Sequence, residues 1–125
     1  MSSAHPTYGN GKICYIEMPA ADINTSATFY KNVFDWHVRQ RGDGATAFDD
    51  AVNEVSGAWV LNRKPMTEIG MLFYIMVDNI EATVDLIIAN RGKIVQPVVK
   101  SPEIVAIFSD PAGNLIGVYQ QPVKS

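Results

Sequence analysis

A tight turn between two apolar strands near the C-terminus constrains the fold of this chain more than any other feature. Residues Asp110–Gly113 read Asp-Pro-Ala-Gly, in which proline fixes φ and glycine accepts a positive φ. This chemistry predicts a β-hairpin, and the turn also sets the register of the second strand. Because residues two apart on a strand share a face, one face should carry Leu115, Gly117 and Tyr119. The glycine in that row leaves space for another group.

The rest of the chain divides into two halves in which the same order of elements is predicted, β-α-β-β-β. In each half an apolar stripe at helical spacing follows a capping residue, Asp22 in the first half and Asn79 in the second. The first helix is expected to end near Asp35, and the second at Gly92 in a left-handed conformation. When the two caps are aligned without gaps, apolar positions superimpose on apolar positions, which indicates an internal repeat.

We therefore predict an α+β fold with a single domain over residues 1–125. Its first βαβββ module covers about residues 11–62 and its second about residues 70–121. Neither module can cover both faces of its own strands. The two modules should therefore form a curved, mostly antiparallel sheet with helices on the convex side and a concave cleft on the other side.

Composition excludes several classes of protein. Apolar residues make up 47% of the chain, too many for a disordered protein, and no apolar run approaches the length of a membrane span. The net charge of −3, without a basic stripe, argues against nucleic acid and anionic membranes as partners. The N-terminal residues lack the pattern of a signal peptide, and the single cysteine, Cys14, cannot form an internal disulfide. We therefore expect a cytoplasmic protein in which Cys14 is a small buried side chain.

Four segments of the chain resemble the vicinal oxygen chelate superfamily, which groups glyoxalases, bleomycin resistance proteins and extradiol dioxygenases. They are Met18–Asp22, Phe29–Trp36, Val77–Ile80 and Asp110–Asn114. The second segment reads Phe-Tyr-Lys-Asn-Val-Phe-Asp-Trp, in which Asp35 stands where the family usually has a glycine. The resemblance extends from Lys12 to Gln121 and implies the same paired βαβββ fold.

In metal-dependent members of this superfamily, the ligands lie on the first and last strands of each module. The resemblance maps these positions onto Tyr15, Leu72, Gly57 and Gly117. None of the four carries a side chain that normally binds a divalent metal, for which His, Cys, Asp and Glu are the usual residues. His5, in a loose and polar N-terminal segment, and His37, on an edge strand, are not convincing substitutes. We therefore expect neither a metal site nor another cofactor.

Strand alternation from the same positions predicts which residues line the cleft. They are Tyr15, Glu17, Gly57, Trp59, Leu72, Tyr74, Met76, Gly117 and Tyr119. Aromatic side chains, two glycines and one carboxylate are typical of a pocket for a flat or partly apolar molecule. The same aromatic side chains are also common in filled clefts and at dimer seams.

Glu17 is the most informative member of this set. Burial among the aromatic residues would raise the pKa of its carboxyl group, and Glu17 would then serve as a general base or as an anchor for a cationic ligand. In the alternative interpretation, Glu17 is partly exposed and pairs with Lys12 or Arg63. The sequence leaves both alternatives open.

Other charged residues are expected at the surface. Asp49, Asp50 and Glu54 lie near a predicted turn and should belong to a solvated loop. Arg39 and Arg41 alternate on a predicted strand, so we expect them on a solvent-facing stripe. Neither group predicts a catalytic site.

Three functions remain open from the sequence. The first is a metal-free, glyoxalase-like protein that binds a small, partly aromatic or apolar molecule in the cleft, with Glu17 fixing its orientation. The second is a metal-dependent lyase, isomerase or dioxygenase of the same superfamily, which would need a displaced metal site or Glu17 as the base. The third is a non-catalytic assembly module whose cleft is closed by its partner chain. The resemblance also implies a homodimer, because many members of the superfamily pair.

Overall fold

The computed structural model describes residues 5–122, which contain two helices and eight strands. The first module contains β1 (Tyr15–Pro19), α1 (Ile23–Phe34), β2 (His37–Gln40), β3 (Thr46–Asp49) and β4 (Ser56–Val60). The second module contains β5 (Tyr74–Val77), α2 (Ile80–Ala89), β6 (Lys93–Val99), β7 (Ile104–Ser109) and β8 (Leu115–Gln120). The predicted α+β fold with two βαβββ modules is confirmed. Neither helix in this range is long and apolar enough to cross a membrane.

The strands form two four-stranded sheets rather than one continuous sheet. Their strand orders are β1-β4-β3-β2 in the first sheet and β5-β8-β7-β6 in the second. In each sheet the first strand of the module pairs in parallel with the last, and all other neighbours are antiparallel. The mostly antiparallel character is as predicted, whereas the single curved sheet is replaced by two sheets that are not joined by strand pairing.

Local sequence signals locate the ends of α1 and the hairpin turn correctly. Asp22 and Asn79 each accept a hydrogen bond from the backbone N–H three residues later, so both predicted helix caps are confirmed. Asp35 follows α1 with a left-handed φ of 63°. Gly113, in the predicted hairpin turn, has a φ of 101°. Each of these positions is set by chemistry that involves only a few neighbouring residues.

The end of α2 differs from the expectation by one residue. Arg91, not Gly92, adopts the left-handed conformation, with a φ of 79°. The Gly92 N–H then donates to the carbonyl oxygen of Ile87 at 2.8 Å, which closes the helix end. A Cβ atom at Gly92 would lie 2.5 Å from Cγ2 of Ile87 and 2.9 Å from Cε1 of Phe29. Glycine is therefore required here by close packing against Ile87 of α2 and Phe29 of α1, and not by its φ.

Both modules share one hydrophobic core. Residues from the two helices and from one face of each sheet form a single buried cluster. The ring centroids of Phe29 and Phe34, on α1, each lie 5.8 Å from that of Phe108, on β7, so the helix of the first module packs against a strand of the second. The other face of each sheet turns away from this core. We call these two surfaces the open faces of the first and second sheets.

A buried polar contact joins the same two modules. The Tyr30 hydroxyl, on α1, donates to Oδ2 of Asp110 at 2.8 Å. Tyr30 is fully buried, and this burial together with the nearby Asp110 carboxylate raises the pKa of its phenol well above the usual value. Asn114 Nδ2 donates to the carbonyl oxygen of Pro19 at 2.8 Å. The turn after β7 therefore fastens the end of β1 and the middle of α1 to the second module.

The segment before β1 is attached to the β3–β4 loop through Glu54, so the expectation of a loose lead-in is wrong from His5 onward. The Glu54 carboxylate accepts a hydrogen bond from the Thr7 N–H at 3.0 Å and lies 2.6 Å from Nδ1 of His5. Lys12 Nζ donates to the Glu54 carbonyl oxygen. The hydrogen bond from the Thr7 N–H, followed by that with His5, lowers the pKa of Glu54 to about 2.

Cys14 is exposed rather than buried. It lies one residue before the start of β1 at Tyr15. Its carbonyl oxygen accepts a hydrogen bond from the Ser56 N–H at 3.1 Å, so its backbone position is fixed. The prediction of a buried thiol is therefore wrong, because Cys14 lies outside the strand whose side chains enter the core.

We expect Tyr30→Phe to lower the free energy of unfolding by about 1.5–3 kcal/mol, because the substitution removes a donor from the buried Asp110 carboxylate. Urea unfolding followed by tryptophan fluorescence measures the change. Tyr8→Phe, at an exposed tyrosine, is the matched control and should leave the unfolding free energy unchanged. Equal effects of the two substitutions would contradict a stabilising role for the buried contact.

We expect Glu54→Gln to loosen the segment before β1 in a pH-dependent manner. Folding lowers the pKa of Glu54 to about 2, from an ordinary value of about 4.3. The ionised carboxylate therefore stabilises the attachment fully when the pH is above the ordinary pKa. This stabilisation is lost as the pH falls through the pKa of the folded protein. Hydrogen exchange at the Thr7 amide should therefore be faster in the variant at neutral pH. The difference between variant and wild type should shrink progressively as the pH falls from about 5 towards about 2, and a difference that stays constant over this range would refute the role of this carboxylate.

Candidate functional site

The open face of the second sheet carries a shallow apolar groove with a volume of about 430 Å³. Its walls come from β5, the end of β6, the β6–β7 loop, β7 and β8. They are formed by Tyr74, Met76, Val99, Pro102, Glu103, Val105 and Tyr119. Strand pairing brings these residues together, because Met76 and Val105 both lie beside Tyr119, and Val99 lies beside Val105. The volume is within the range of about 300–1,000 Å³ that is typical of small-molecule pockets.

The ring of Tyr74 covers Gly117, the glycine that was expected to leave space in the cleft. The two residues are neighbours across β5 and β8. A Cβ atom at Gly117 would lie 2.4 Å from Cδ2 and 2.5 Å from Cε2 of Tyr74. The ring therefore fills the space that a side chain at position 117 would occupy. Tyr74 is nevertheless 47% exposed, so part of its ring remains available to a ligand.

Tyr15 and Glu17 lie on the open face of the first sheet and contact arginines there. Arg41 Nη1 donates to the Tyr15 hydroxyl oxygen at 2.5 Å, and Arg63 Nη1 donates to Oε1 of Glu17 at 2.7 Å. The Glu17 side chain is half exposed. Of the two alternatives for Glu17, the structure has the exposed carboxylate paired with Arg63. Neither Tyr15 nor Glu17 lines the groove of the second sheet.

A second ion pair occupies the same open face. Arg39 donates to both carboxylate oxygens of Asp49, at 2.9 and 3.1 Å, and Ser56 Oγ donates to Asp49 at 2.6 Å. The hydrogen bond with Arg39 lowers the pKa of Asp49, and the same pairing raises the pKa of Arg39. The expected solvent-facing stripe is thus a set of paired charges. The open face of the first sheet is polar, and its side chains contact one another.

Gly57 and Trp59 lie on the core face of β4 and not on the open face as predicted. β1 pairs with β4 so that Ile16 lies beside Gly57 and Met18 beside Trp59. Trp59 is 2% exposed, and its ring centroid lies 4.8 Å from that of Phe48. A Cβ atom at Gly57 would lie 2.1 Å from the Ile16 carbonyl oxygen and 2.4 Å from Cζ of Phe48. Gly57 therefore serves core packing.

The predicted face of β4 is wrong because Gly57 does not occupy the position equivalent to Gly117. In the second sheet Tyr74 lies beside Gly117, and in the first sheet Glu17, which aligns with Tyr74, lies beside Ala58. The residue equivalent to Gly117 is therefore Ala58, one position after Gly57. A one-residue shift of register moves every side chain of a strand to the opposite face.

The predicted cleft residues are thus distributed over several parts of the molecule. Tyr74, Met76 and Tyr119 line the groove, and Gly117 lies beneath Tyr74. Leu72 is half-buried in the segment that precedes β5. The others lie on the open face of the first sheet or in the core.

Sequence reasoning missed the groove residues from β6, β7 and the loop between them. Val105 could have been found, because the hairpin turn that fixes the register of Tyr119 also places Val105 beside it. Val99 could not have been found in this way. The pairing of β6 with β7 shifts register on either side of Gln96, next to Pro97, and such irregularities break the simple alternation of side chains between the two faces. Glu103 lies in a loop, where alternation gives no direction for its side chain.

The positions at which the resemblance places metal ligands do not fit a metal ion. Tyr15, Leu72, Gly117 and, after correction of the register, Ala58 supply no carboxylate, imidazole or thiolate. At position 117 the available space is filled by the Tyr74 ring. Within residues 5–122, no group of three or more His, Cys, Asp and Glu side chains is arranged to hold an ion.

A smaller hollow of about 340 Å³ lies where the two modules meet. It is bounded by the end of β1, the start of α1, the segment after β4 and the turn before β8. The lining residues are Pro19, Ala20, Ala21, Leu61, Asn62, Arg63, Pro65 and Ala112. Arg63 is the charged residue in this lining, and its guanidinium pairs with Glu17. The hollow therefore offers less apolar surface and no unpaired charge.

Comparison with known proteins agrees with the fold. A family model described as the Glyoxalase/Bleomycin resistance protein/Dioxygenase superfamily matches residues 12–118. A glyoxylase-like domain-containing protein from Didymella fabae is 28% identical over 127 aligned positions, which cover 92% of this chain and 98% of that protein.

Two solved structures extend this comparison. A glyoxalase/bleomycin resistance protein/dioxygenase family enzyme from Burkholderia phytofirmans has a TM-score of 0.71 at 16% identity, covering 85% of this chain and 95% of its own. The fosfomycin resistance protein FosX from Listeria monocytogenes has a TM-score of 0.70 at 12% identity, covering 94% of this chain and 96% of its own. At these identities the likeness shows the fold.

We expect Gly57→Ala to destabilise the protein far more than Gly117→Ala. At position 57 the new methyl group meets a backbone oxygen and a buried ring, so the free energy of unfolding should fall by about 3 kcal/mol. At position 117 it meets the half-exposed ring of Tyr74, which can rotate into solvent, so the loss should stay below about 1 kcal/mol.

Chemical denaturation of the two variants measures this difference. Gly42→Ala, where a Cβ atom meets nothing within 4 Å, is the control and should be neutral. Similar losses at positions 57 and 117 would contradict the assignment of the two glycines to different faces.

Proposed function

This chain belongs to the glyoxalase/bleomycin resistance protein/dioxygenase superfamily, and from that premise we propose that it binds a small, partly aromatic or apolar organic molecule in the groove of the second sheet without using a metal ion. Membership alone does not specify the chemistry, because one fold serves many functions. The proposal therefore rests on the groove itself.

The observation that carries the proposal is the Tyr74 ring lying over Gly117. The resemblance places a metal-ligand position of metal-dependent members at residue 117. In this chain the same space holds an aromatic ring, and the surrounding walls are apolar. A surface of this kind favours a flat or apolar molecule by removing its surface from water.

The energetics of such binding can be bounded. Each 100 Å² or so of apolar surface removed from water contributes about 2.5 kcal/mol before the costs of association. The groove is open on one side, so a small ligand keeps part of its surface in solvent. We therefore expect dissociation constants of about micromolar to millimolar for a single copy of the chain.

Glu17 is not part of this binding site. Its carboxylate pairs with Arg63 on the open face of the first sheet and lies outside the lining of the groove. A role for Glu17 as general base or ligand anchor is therefore not carried into the proposal. A metal-dependent lyase, isomerase or dioxygenase activity is likewise not proposed, because the residues at the ligand positions do not fit a metal.

A second candidate function is a non-catalytic homodimeric assembly module. It is favoured by the exposed apolar side chains of the same groove, among which Met76 is 66% exposed and Val99 41% exposed. Contact with a second copy would cover this surface and give the groove a second wall. In a ligand-binding dimer that wall leaves room for the molecule, whereas in an assembly module the partner fills the groove.

We also propose that the protein works in the cytoplasm. Cys14 is an exposed lone thiol, and such a thiol stays reduced in that compartment. The acidic balance of charges fits neither nucleic acid nor anionic membrane as a partner.

We expect chelator-treated protein to bind members of a panel of small aromatic molecules, with chemical-shift changes at groove residues. Tyr119→Ala should weaken binding by about threefold to tenfold, because it removes an aromatic wall. Tyr8→Ala, at an exposed tyrosine outside the groove, is the matched control and should leave the affinity unchanged. NMR titration measures both.

Two further measurements on the same samples bear on the alternatives. Stoichiometric binding of Ni, Zn, Fe(II) or Mn in calorimetric titration would contradict the metal-free mechanism. A stable dimer in sedimentation experiments, combined with no binding by any member of the panel, would favour the assembly module over the ligand-binding protein.

A further inference from the structure

We propose that the ligand of the groove is an organic cation, such as an aromatic or alkyl ammonium ion, and that Glu103 selects its charge. This inference rests on the proposed function, because it names a ligand class for the same groove. Three observations support it: the charge of the lining, the aromatic faces beside that charge and the separation of the arginines from the groove.

Glu103 is the charged residue in the lining of the groove. It is exposed, at the end of the loop that leads into β7. Within residues 5–122, no lysine, arginine or histidine lies within ion-pair distance of its carboxylate. Lys100, three residues earlier, instead pairs with Glu81 on α2 at 3.2 Å. Among the residues that the structure describes, the negative charge at the edge of the groove therefore has no cationic partner.

The walls beside this carboxylate are suited to a cation with an apolar body. Tyr74 and Tyr119 line the same groove, and Tyr74 keeps nearly half of its surface exposed. The face of a phenol ring carries negative electrostatic potential and attracts a nearby cation. Met76 adds a polarisable and flexible thioether. A trimethylammonium group suits a lining that combines tyrosine rings with a carboxylate, because alkyl ammonium ions are weakly hydrated and tolerate apolar surroundings.

Anionic and neutral ligands fit this groove less well. An anion would be repelled by the Glu103 carboxylate, and no basic side chain within residues 5–122 lines the groove to offset that repulsion. The arginines Arg39, Arg41 and Arg63 contact carboxylates on the first sheet or its adjoining loops, outside the groove. A neutral ligand would gain the apolar contact only.

The test compares two probes of the same shape, phenyltrimethylammonium and its neutral carbon analogue tert-butylbenzene. We expect the cation to bind about tenfold more tightly, as the combined effect of ring contact and a surface carboxylate. Glu103→Gln should weaken binding of the cation by about threefold and leave binding of the neutral analogue unchanged. Glu68→Gln removes an exposed carboxylate outside the groove and should change neither affinity.

The outcomes separate this inference from the function on which it rests. Equal affinities for the two probes, with no effect of Glu103→Gln, would overturn the cation inference and leave the apolar groove as the binding site. If neither probe binds, the cation inference is also overturned. The proposed function is overturned as well only if no neutral member of the wider panel binds. If a second copy closes the groove, the probes should bind only after the protein is diluted to monomers. Equal affinities of those monomers for the cation and for its neutral analogue would again overturn the inference.

Discussion

The packing of α1 against the second module is the constraint on which the rest of the structure depends. Phe29 and Phe34 contact Phe108 across the boundary between modules, and Tyr30 places its hydroxyl on the Asp110 carboxylate beside them. Because one core serves both modules, each sheet must direct one face inward. The open faces then point away from this core. Neither the groove nor the smaller hollow combines side chains from the open face of one sheet with side chains from the open face of the other. The groove on the second sheet is consequently one-sided unless a second molecule covers it.

Features that depend on near neighbours in the sequence were predictable. The caps at Asp22 and Asn79, the left-handed Asp35 and the hairpin closed by Gly113 all follow from side-chain chemistry within a few residues. The paired βαβββ order follows from them, because the caps define where each helix begins. The groove was predictable in part for the same reason, since the hairpin turn fixes which face of β8 carries Tyr119.

Features that depend on distant packing were not predictable. Glycine carries no side chain, so its presence in β4 does not indicate which face it occupies. Only the pairing of β3 with β4 and the close contact of Gly57 with the Phe48 ring show that it lies on the core face. The sequence also predicts the left-handed residue after α2 at Gly92, whereas Arg91 adopts that conformation. Gly92 is needed instead for the close approach of Phe29, which depends on tertiary packing and cannot be deduced from the sequence. Glu17 resembled a buried base only while Trp59 was assigned to its face.

The two sheets share a topology but present opposite chemistry. On the first sheet, Arg39 and Asp49 pair with each other and Arg41 contacts Tyr15, so substitution of one residue disturbs another. On the second sheet the groove side chains protrude from a backbone held by α2 and the hairpin. Evolution can therefore vary Met76 or Val99 one at a time without breaking an ion pair. Substitutions that change ligand preference are therefore tolerated more readily on the second sheet than on the first.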